Sequence, residues 1–144
     1  MARKPRKRTY KDCDRLWGQI IRLDETCAVC GARVGDGTCH QVHAHHLIHR
    51  NAIFFRHNLE NGICLCPGCH RFNIGKVIDG KRTISAHGSP AFFREWFQET
   101  LPEQFEWYEK NRWLVFPNVK PDYTQIYSVL EDELRQRTAG KAGE

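Results

Sequence analysis

The sequence predicts a small α+β domain, with short strands at its centre, helices at both ends and a four-cysteine metal site tying the strands together. Three observations carry this expectation. Apolar residues recur at helical spacing near the N-terminus, in Leu16, Ile20, Ile21 and Leu23 with Trp17, and again throughout the C-terminal third. Two short runs, residues 41–48 and 62–65, have the length and apolar character of strands. Two Cys-x-x-Cys pairs, Cys27/Cys30 and Cys66/Cys69, bracket those runs.

A chain of 144 residues fits one compact domain with helical extensions. Residues 1–11 form a basic tail (Arg3, Lys4, Arg6, Lys7 and Arg8 around Pro5) that is expected to be disordered, as is the tail 138–144. Between them, residues 12–137 are expected to fold as one domain, with an N-terminal helix at 12–26, a metal-bearing core at 27–89 and a helical extension at 90–137. After the first helix, Cys27-Ala28-Val29-Cys30-Gly31 reads as a tight knuckle and Gly35-Asp36-Gly37 as a turn. Residues 41–48 form a histidine-rich strand, and 50–60 a loop whose Ile53, Phe54 and Phe55 require burial. The strand at 62–65 runs into the second knuckle, and Asp79-Gly80 predicts a type I′ hairpin turn between 76–78 and 81–84. Ser89-Pro90 has the form of a helix start, a capping side chain followed by proline at the first position. Helices then follow from 90, from 102 and over 122–137, and their aromatic faces are packing surface rather than a cofactor box.

Composition sets the class of partner. A net charge of +5 suits a polyanion. No run approaches the ~20 apolar residues of a membrane span, and the basic N-terminus lacks the apolar stretch of a secretory signal. A cytoplasmic location is therefore expected, with no membrane partner and no organic cofactor. Cytosolic thiols are normally reduced, so the seven cysteines point to metal ligation rather than disulfides. Both thiolates of a Cys-x-x-Cys pair can grip one tetrahedral ion, and two pairs make a closed, structural zinc site from Cys27, Cys30, Cys66 and Cys69. Cys13 and Cys64 are read as small buried packing residues, and Cys39, although near His40 and His43, is not expected to form a further metal site with them.

Between and beyond the knuckles stand Ala44-His45-His46, then Asn61-Gly62-Ile63-Cys64-Leu65-Cys66, then Cys69-His70. This order resembles the signature of the HNH endonuclease superfamily, over about residues 27–70. It looks most like small zinc-containing phage-type members such as the lambdoid recombination endonucleases of the NinG (Rap) kind. The resemblance implies a ββα-metal core around one catalytic divalent cation, Mg²⁺, Mn²⁺ or another. It implies that His46 is the general base, that His45 and His70 are metal ligands, and that Asn61 orients the loop between the strands. A third family ligand often lies four residues after the last signature histidine, where this chain has Ile74; His87, ahead of Pro90-Ala91-Phe92-Phe93, is the better candidate. Because adjacent residues on a strand face opposite sides, His45 and His46 can serve one site only if the strand ends, twists or bulges there, or if a phosphate straddles it. Arg50, Arg56, Lys76, Lys81 and Arg82 are candidate phosphate contacts or else solvated charge. His40, His43, His49 and His57 have no place in the signature.

The resemblance thus implies a metal-dependent endonuclease that hydrolyses DNA phosphodiester bonds, in phage recombination or DNA processing, with a homodimer as one way to cut two strands. The alternative from a different class is a non-catalytic zinc-knuckle DNA-binding module.

Overall fold

Helix α1 spans Tyr10–Ile21 and begins at a reciprocal cap. The Thr9 hydroxyl accepts from the Asp12 N–H, and the Asp12 carboxylate accepts from the Thr9 N–H at 2.9 Å. This cap starts the helix inside the segment expected as tail. Arg22 and a left-handed Glu25 (φ 48°) end it well before residue 26. Arg6 pairs with Asp12 at 2.7 Å and the Arg8 guanidinium lies 3.9 Å over the Tyr127 ring, so part of the basic segment packs onto the helices. The computed structural model describes residues 2–4 and 6–142; the outermost residues of both expected tails lie outside them.

Strand β1, His43–His46, pairs antiparallel with β2, Gly62–Leu65, from His43↔Leu65 to His46↔Gly62. β1 is shorter than the expected 41–48; past its C-terminal end the chain bonds to Asn61, the Leu47 N–H reaching the Asn61 carbonyl and the Ile48 N–H its side chain. The second knuckle opens a single wide helical turn, Gly68–Phe72. Strands β3, Val77–Ile78, and β4, Lys81–Arg82, follow as the expected hairpin, with Asp79 and Gly80 both at positive φ (51° and 78°) as a type I′ turn requires.

Helices α2 (Pro90–Thr100), α3 (Pro102–Asn111) and α4 (Tyr123–Ala142) complete the chain. Ser89 precedes α2 as expected but does not cap it; its hydroxyl instead accepts from the Ser85 N–H at 2.8 Å, closing the turn that carries His87. α4 runs past Arg137 to Ala142, where a disordered tail was expected. Arg137–Glu133 (2.8 Å) supports its last turns, and Lys141 reaches the Leu23 carbonyl at 3.1 Å.

Two apolar clusters hold these elements. One joins Cys27, Cys66 and Cys69 to Ile63, Leu65, Phe93, Phe97 and Phe105, so the knuckles lie in the core beside β2, α2 and α3. The other packs Cys13, Leu16, Trp17 and Ile20 of α1 against Leu130 of α4. Burial raises the Cys13 and Cys64 thiols to about 11, which keeps both as protonated packing groups. Of the three apolar loop residues, Phe55 is buried but Ile53 and Phe54 are exposed, contrary to the need for burial inferred from their type. No helix among the described residues is long and apolar enough to cross a membrane.

α1 crosses β2 so closely that Gly62 has no room for a side chain. A Cβ there would stand 2.7 Å from the Trp17 ring and against Ile21. Its backbone is ordinary extended strand (φ −119°), so space and not conformation demands the glycine. Gly62→Ala is expected to lower stability by ~1–3 kcal/mol through overpacking. Denaturant unfolding checks this, and an unchanged midpoint would mean that α1 moves aside freely.

Candidate functional site

Among the described residues, two groups of side chains could hold a metal ion. The first is Cys27, Cys30, Cys66 and Cys69, whose sulfurs all lie within 4.8 Å of one another. Cys30 Sγ and Cys66 Sγ are 3.7 Å apart. Zinc–sulfur bonds of about 2.3 Å in a tetrahedron place sulfurs about 3.8 Å apart, so the set fits zinc. Backbone bonds shape the cradle. The Gly31 N–H donates to the Cys27 carbonyl, with Gly31 at φ 74°, and the Ala28 N–H donates to Cys64 of β2. A hydrogen bond from Cys69 pulls the Cys27 thiol down to about 4 and pushes the Cys69 thiol up, as expected of packed thiols sharing protons.

The second group is His45, His70 and His87, again with ligand atoms within 4.8 Å. His45 comes from β1, His70 from the Gly68–Phe72 turn and His87 from the segment before α2. That last segment is stitched onto the turn by the Ala86 N–H to the Cys69 carbonyl (2.9 Å) and the His87 N–H to the His70 carbonyl (3.0 Å). The hairpin is therefore an excursion between two neighbouring imidazoles. His43, without a place in the signature, also joins: its Nδ1 lies 2.9 Å from His70 Nδ1, which leaves Nε2 as the nitrogen His70 has for an ion. Burial and the neighbouring rings hold His45 down at about 3, and burial holds His70 at about 4. Both rings are thus neutral, ligand-ready imidazoles at neutral pH. With no ion bound there, neither ring is expected to titrate by NMR between about pH 8 and pH 5.5. A midpoint near the ordinary ~6.5 for either would mean that the ring is solvated.

Alternation along β1 is obeyed. His43 and His45 face His70, His87 and Phe93, whereas Ala44 and His46 face α1. The strand ends at His46, and His45 and His46 still line one cavity of about 260 Å³ with His49, Arg50, His70, Arg71 and His87. The His46 ring stacks on Trp17 at 4.0 Å between centroids, 11° from parallel. Its Nε2 lies 3.0 Å from the Arg56 carbonyl oxygen. A carbonyl only accepts, so Nε2 carries the proton and Nδ1 keeps the lone pair. Burial lowers the His46 pKa below its ordinary value, which keeps that lone pair available.

Asn61 is fully buried, and its side chain makes three bonds: Oδ1 accepts from the Ile48 N–H (2.6 Å), and Nδ2 donates to the Ile48 and Phe55 carbonyls (3.0 and 3.1 Å). It fixes the chain on both sides of the loop that follows His46.

The basic candidates divide. Arg50 lines the cavity, joined by Arg71, which sequence reasoning missed. Arg56 is ion-paired rather than freely solvated: its guanidinium grips Asp14 through two bonds of 2.8 and 2.6 Å. Lys76, Lys81 and Arg82 lie on the hairpin and not among the residues lining the cavity; Arg82 also donates to the Gly75 carbonyl at 2.7 Å and covers the Phe92 ring. His57, without a place in the signature, is buried and bonds Asp14 at 2.7 Å. Burial holds its pKa below the ordinary value, so at neutral pH this is a hydrogen bond from a neutral ring rather than an ion pair. Asp14, Trp17, His43 and Arg71 carry no local sequence signal, because each acquires its role from a partner distant in the chain or from the shape of the cavity. No family model matches this chain, and no curated protein or solved structure matches it.

Proposed function

We propose that the chain is a metal-dependent DNA endonuclease with an HNH-type ββα-metal core made of β1, β2 and the Gly68–Phe72 turn. One observation carries this reading: a histidine with a fixed tautomer, His46, lines the same small basic cavity as the three-imidazole cluster of His45, His70 and His87. His46 Nδ1 takes a proton from the attacking water as its oxygen bonds to phosphorus. The bond from phosphorus to the 3′ oxygen breaks, and the leaving oxygen takes a proton from solvent water, giving 5′-phosphate and 3′-hydroxyl ends. The proton that His46 gains makes an imidazolium, which the Arg56 carbonyl stabilises through Nε2–H and the Trp17 face through cation–π attraction. Arg50 and Arg71 hold the phosphate, and His43 keeps the His70 ring in place. His45, His70 and His87 would hold a divalent ion, which when bound would neutralise charge on the phosphate and on the leaving oxygen. The four-cysteine site would hold zinc, with a structural part only.

The donor set bears on which ion is used. Three imidazoles without a carboxylate suit an ion such as Zn²⁺ or Ni²⁺, whereas Mg²⁺, and to a lesser degree Mn²⁺, prefer oxygen ligands. Supercoiled plasmid incubated with Mn²⁺, Ni²⁺, Zn²⁺, Mg²⁺ or EDTA tests the proposal. Nicking or linearisation is expected with a transition-series ion, less with Mg²⁺ and none with EDTA, and it should disappear in His70→Ala. Binding without cutting, across all ions and across linear, nicked and branched DNA, would replace the nuclease with a zinc-knuckle binding module.

A further inference from the structure

Helix α1 presents Tyr10, Asp14 and Trp17, spaced i, i+4 and i+7, on one face. All three meet the same short stretch of the loop between β1 and β2. Asp14 takes two bonds from the Arg56 guanidinium and one from His57 Nε2. Tyr10 lies under that guanidinium, 5.0 Å from ring centroid to Cζ. Trp17 Nε1–H donates to the Asn58 carbonyl at 2.9 Å while its ring face carries His46. Residues 56–58 are thus pinned to α1 by side-chain bonds in a part of the loop without strand pairing. Arg56 is the residue whose carbonyl sets the His46 tautomer.

On the premise that His46 is the base of the proposed nuclease, we propose that Asp14 is a positioning residue for it: by clamping Arg56 and His57 to α1, it holds the Arg56 carbonyl against His46 Nε2 and leaves Nδ1 as the basic nitrogen. Trp17 completes the frame by fixing the plane of the ring. Asp14 is suited to this because it stays ionised; burial alone would raise its pKa, but the bonds from Arg56 and His57 outweigh that and lower it. A carboxylate accepting a two-pronged arginine bond has a defined geometry, which a single contact would lack. Helix α1 thereby extends the proposed site beyond the segment that resembles the HNH signature.

Two readouts on the full zinc-loaded chain test this. Ring ¹⁵N NMR reports which nitrogen of His46 carries the proton, with no need for activity. Plasmid cleavage with Mn²⁺ separates kcat from KM. Asp14→Ala is expected to turn the single His46 tautomer into a mixture and to lower kcat roughly tenfold or more, with KM and Mn²⁺ affinity unchanged. Asp14→Glu should restore part of both. If Asp14→Ala does not fold, Arg56→Leu removes the same clamp from the other side while keeping the carbonyl, and the same changes are expected. An unaltered tautomer in a folded variant overturns the assignment, whatever happens to kcat. Should the wild type cut no DNA with any ion, the nuclease reading falls and the NMR arm alone still decides whether Asp14 positions His46.

Discussion

With His46 as the base of the proposed nuclease, His46→Ala is expected to lower metal-dependent DNA cleavage by about 10²–10⁴-fold, the range typical of losing a positioned general base. Folding, zinc content and ion binding at His45, His70 and His87 should persist. The substitution removes a ring stacked on Trp17, an aromatic contact worth ~0.5–1.5 kcal/mol, and leaves the Arg56 carbonyl without its donor, so a modest loss of stability accompanies the loss of rate. Those stability effects cannot imitate the loss of a base if cleavage is measured well below the variant's melting temperature. The slot left between Trp17 and the Arg56 carbonyl matches an imidazole ring in shape and bonding. Free imidazole in the assay should therefore restore part of the rate to His46→Ala and none to His70→Ala. Cutting by His46→Ala at the wild-type rate would show that the proton goes elsewhere. His49, which lines the same cavity, would then be the next group to vary.

What the sequence made legible was the part set by local spacing. The two cysteine pairs, β2, the Asp79-Gly80 turn and the start of α2 at Pro90 each follow from a few adjacent residues, and the structure has them where expected. His87 was found by asking which residue could replace the unsuitable Ile74, and the structure brings it to His45 and His70. Roles set by distant pairing were not legible. Asp14 meets its partners 42 and 43 residues away in the chain, so nothing local to Arg56 marks Asp14 as the carboxylate it pairs with. His43 looked incidental until β1 placed it on the His45 face. The exposed Ile53 and Phe54 show the converse failure, since residue type alone does not decide burial in a loop held by backbone bonds to one asparagine.

The two candidate metal sites are coupled through the backbone. Cys69 and His70 are neighbours in one turn, and the segment bearing His87 is hydrogen-bonded to the carbonyls of both. The four-cysteine set thus orients the imidazole cluster as well as filling the core, and its loss should be felt at both places.

With zinc in the four-cysteine site as proposed, its removal, or Cys69→Ser, is accordingly expected to unfold the chain at ordinary temperature. Structural zinc in such sites supplies ~10–16 kcal/mol of folding free energy, as much as or more than the ~5–15 kcal/mol net stability of a typical domain. Three of the four sulfurs belong to the same buried cluster as Phe93, Phe97 and Phe105, so without the ion the thiols would crowd one another where apolar packing should be. Circular dichroism during titration with a strong chelator, with released zinc quantified in parallel, checks this directly. Loss of helical signal should track release of a single ion per chain. Weaker chelation should first silence the histidine cluster and cleavage, because three imidazoles hold an ion less tightly than four thiolates, and only then unfold the protein. Cys39→Ser is the control: Cys39 packs against the same core but is not in the ligand set, so its change should leave zinc content intact. A chelated chain that keeps its full cooperative melt would show the four cysteines to be ordinary core thiols, and the orientation of His70 and His87 would then have to come from the hydrogen bonds of the 85–88 segment alone.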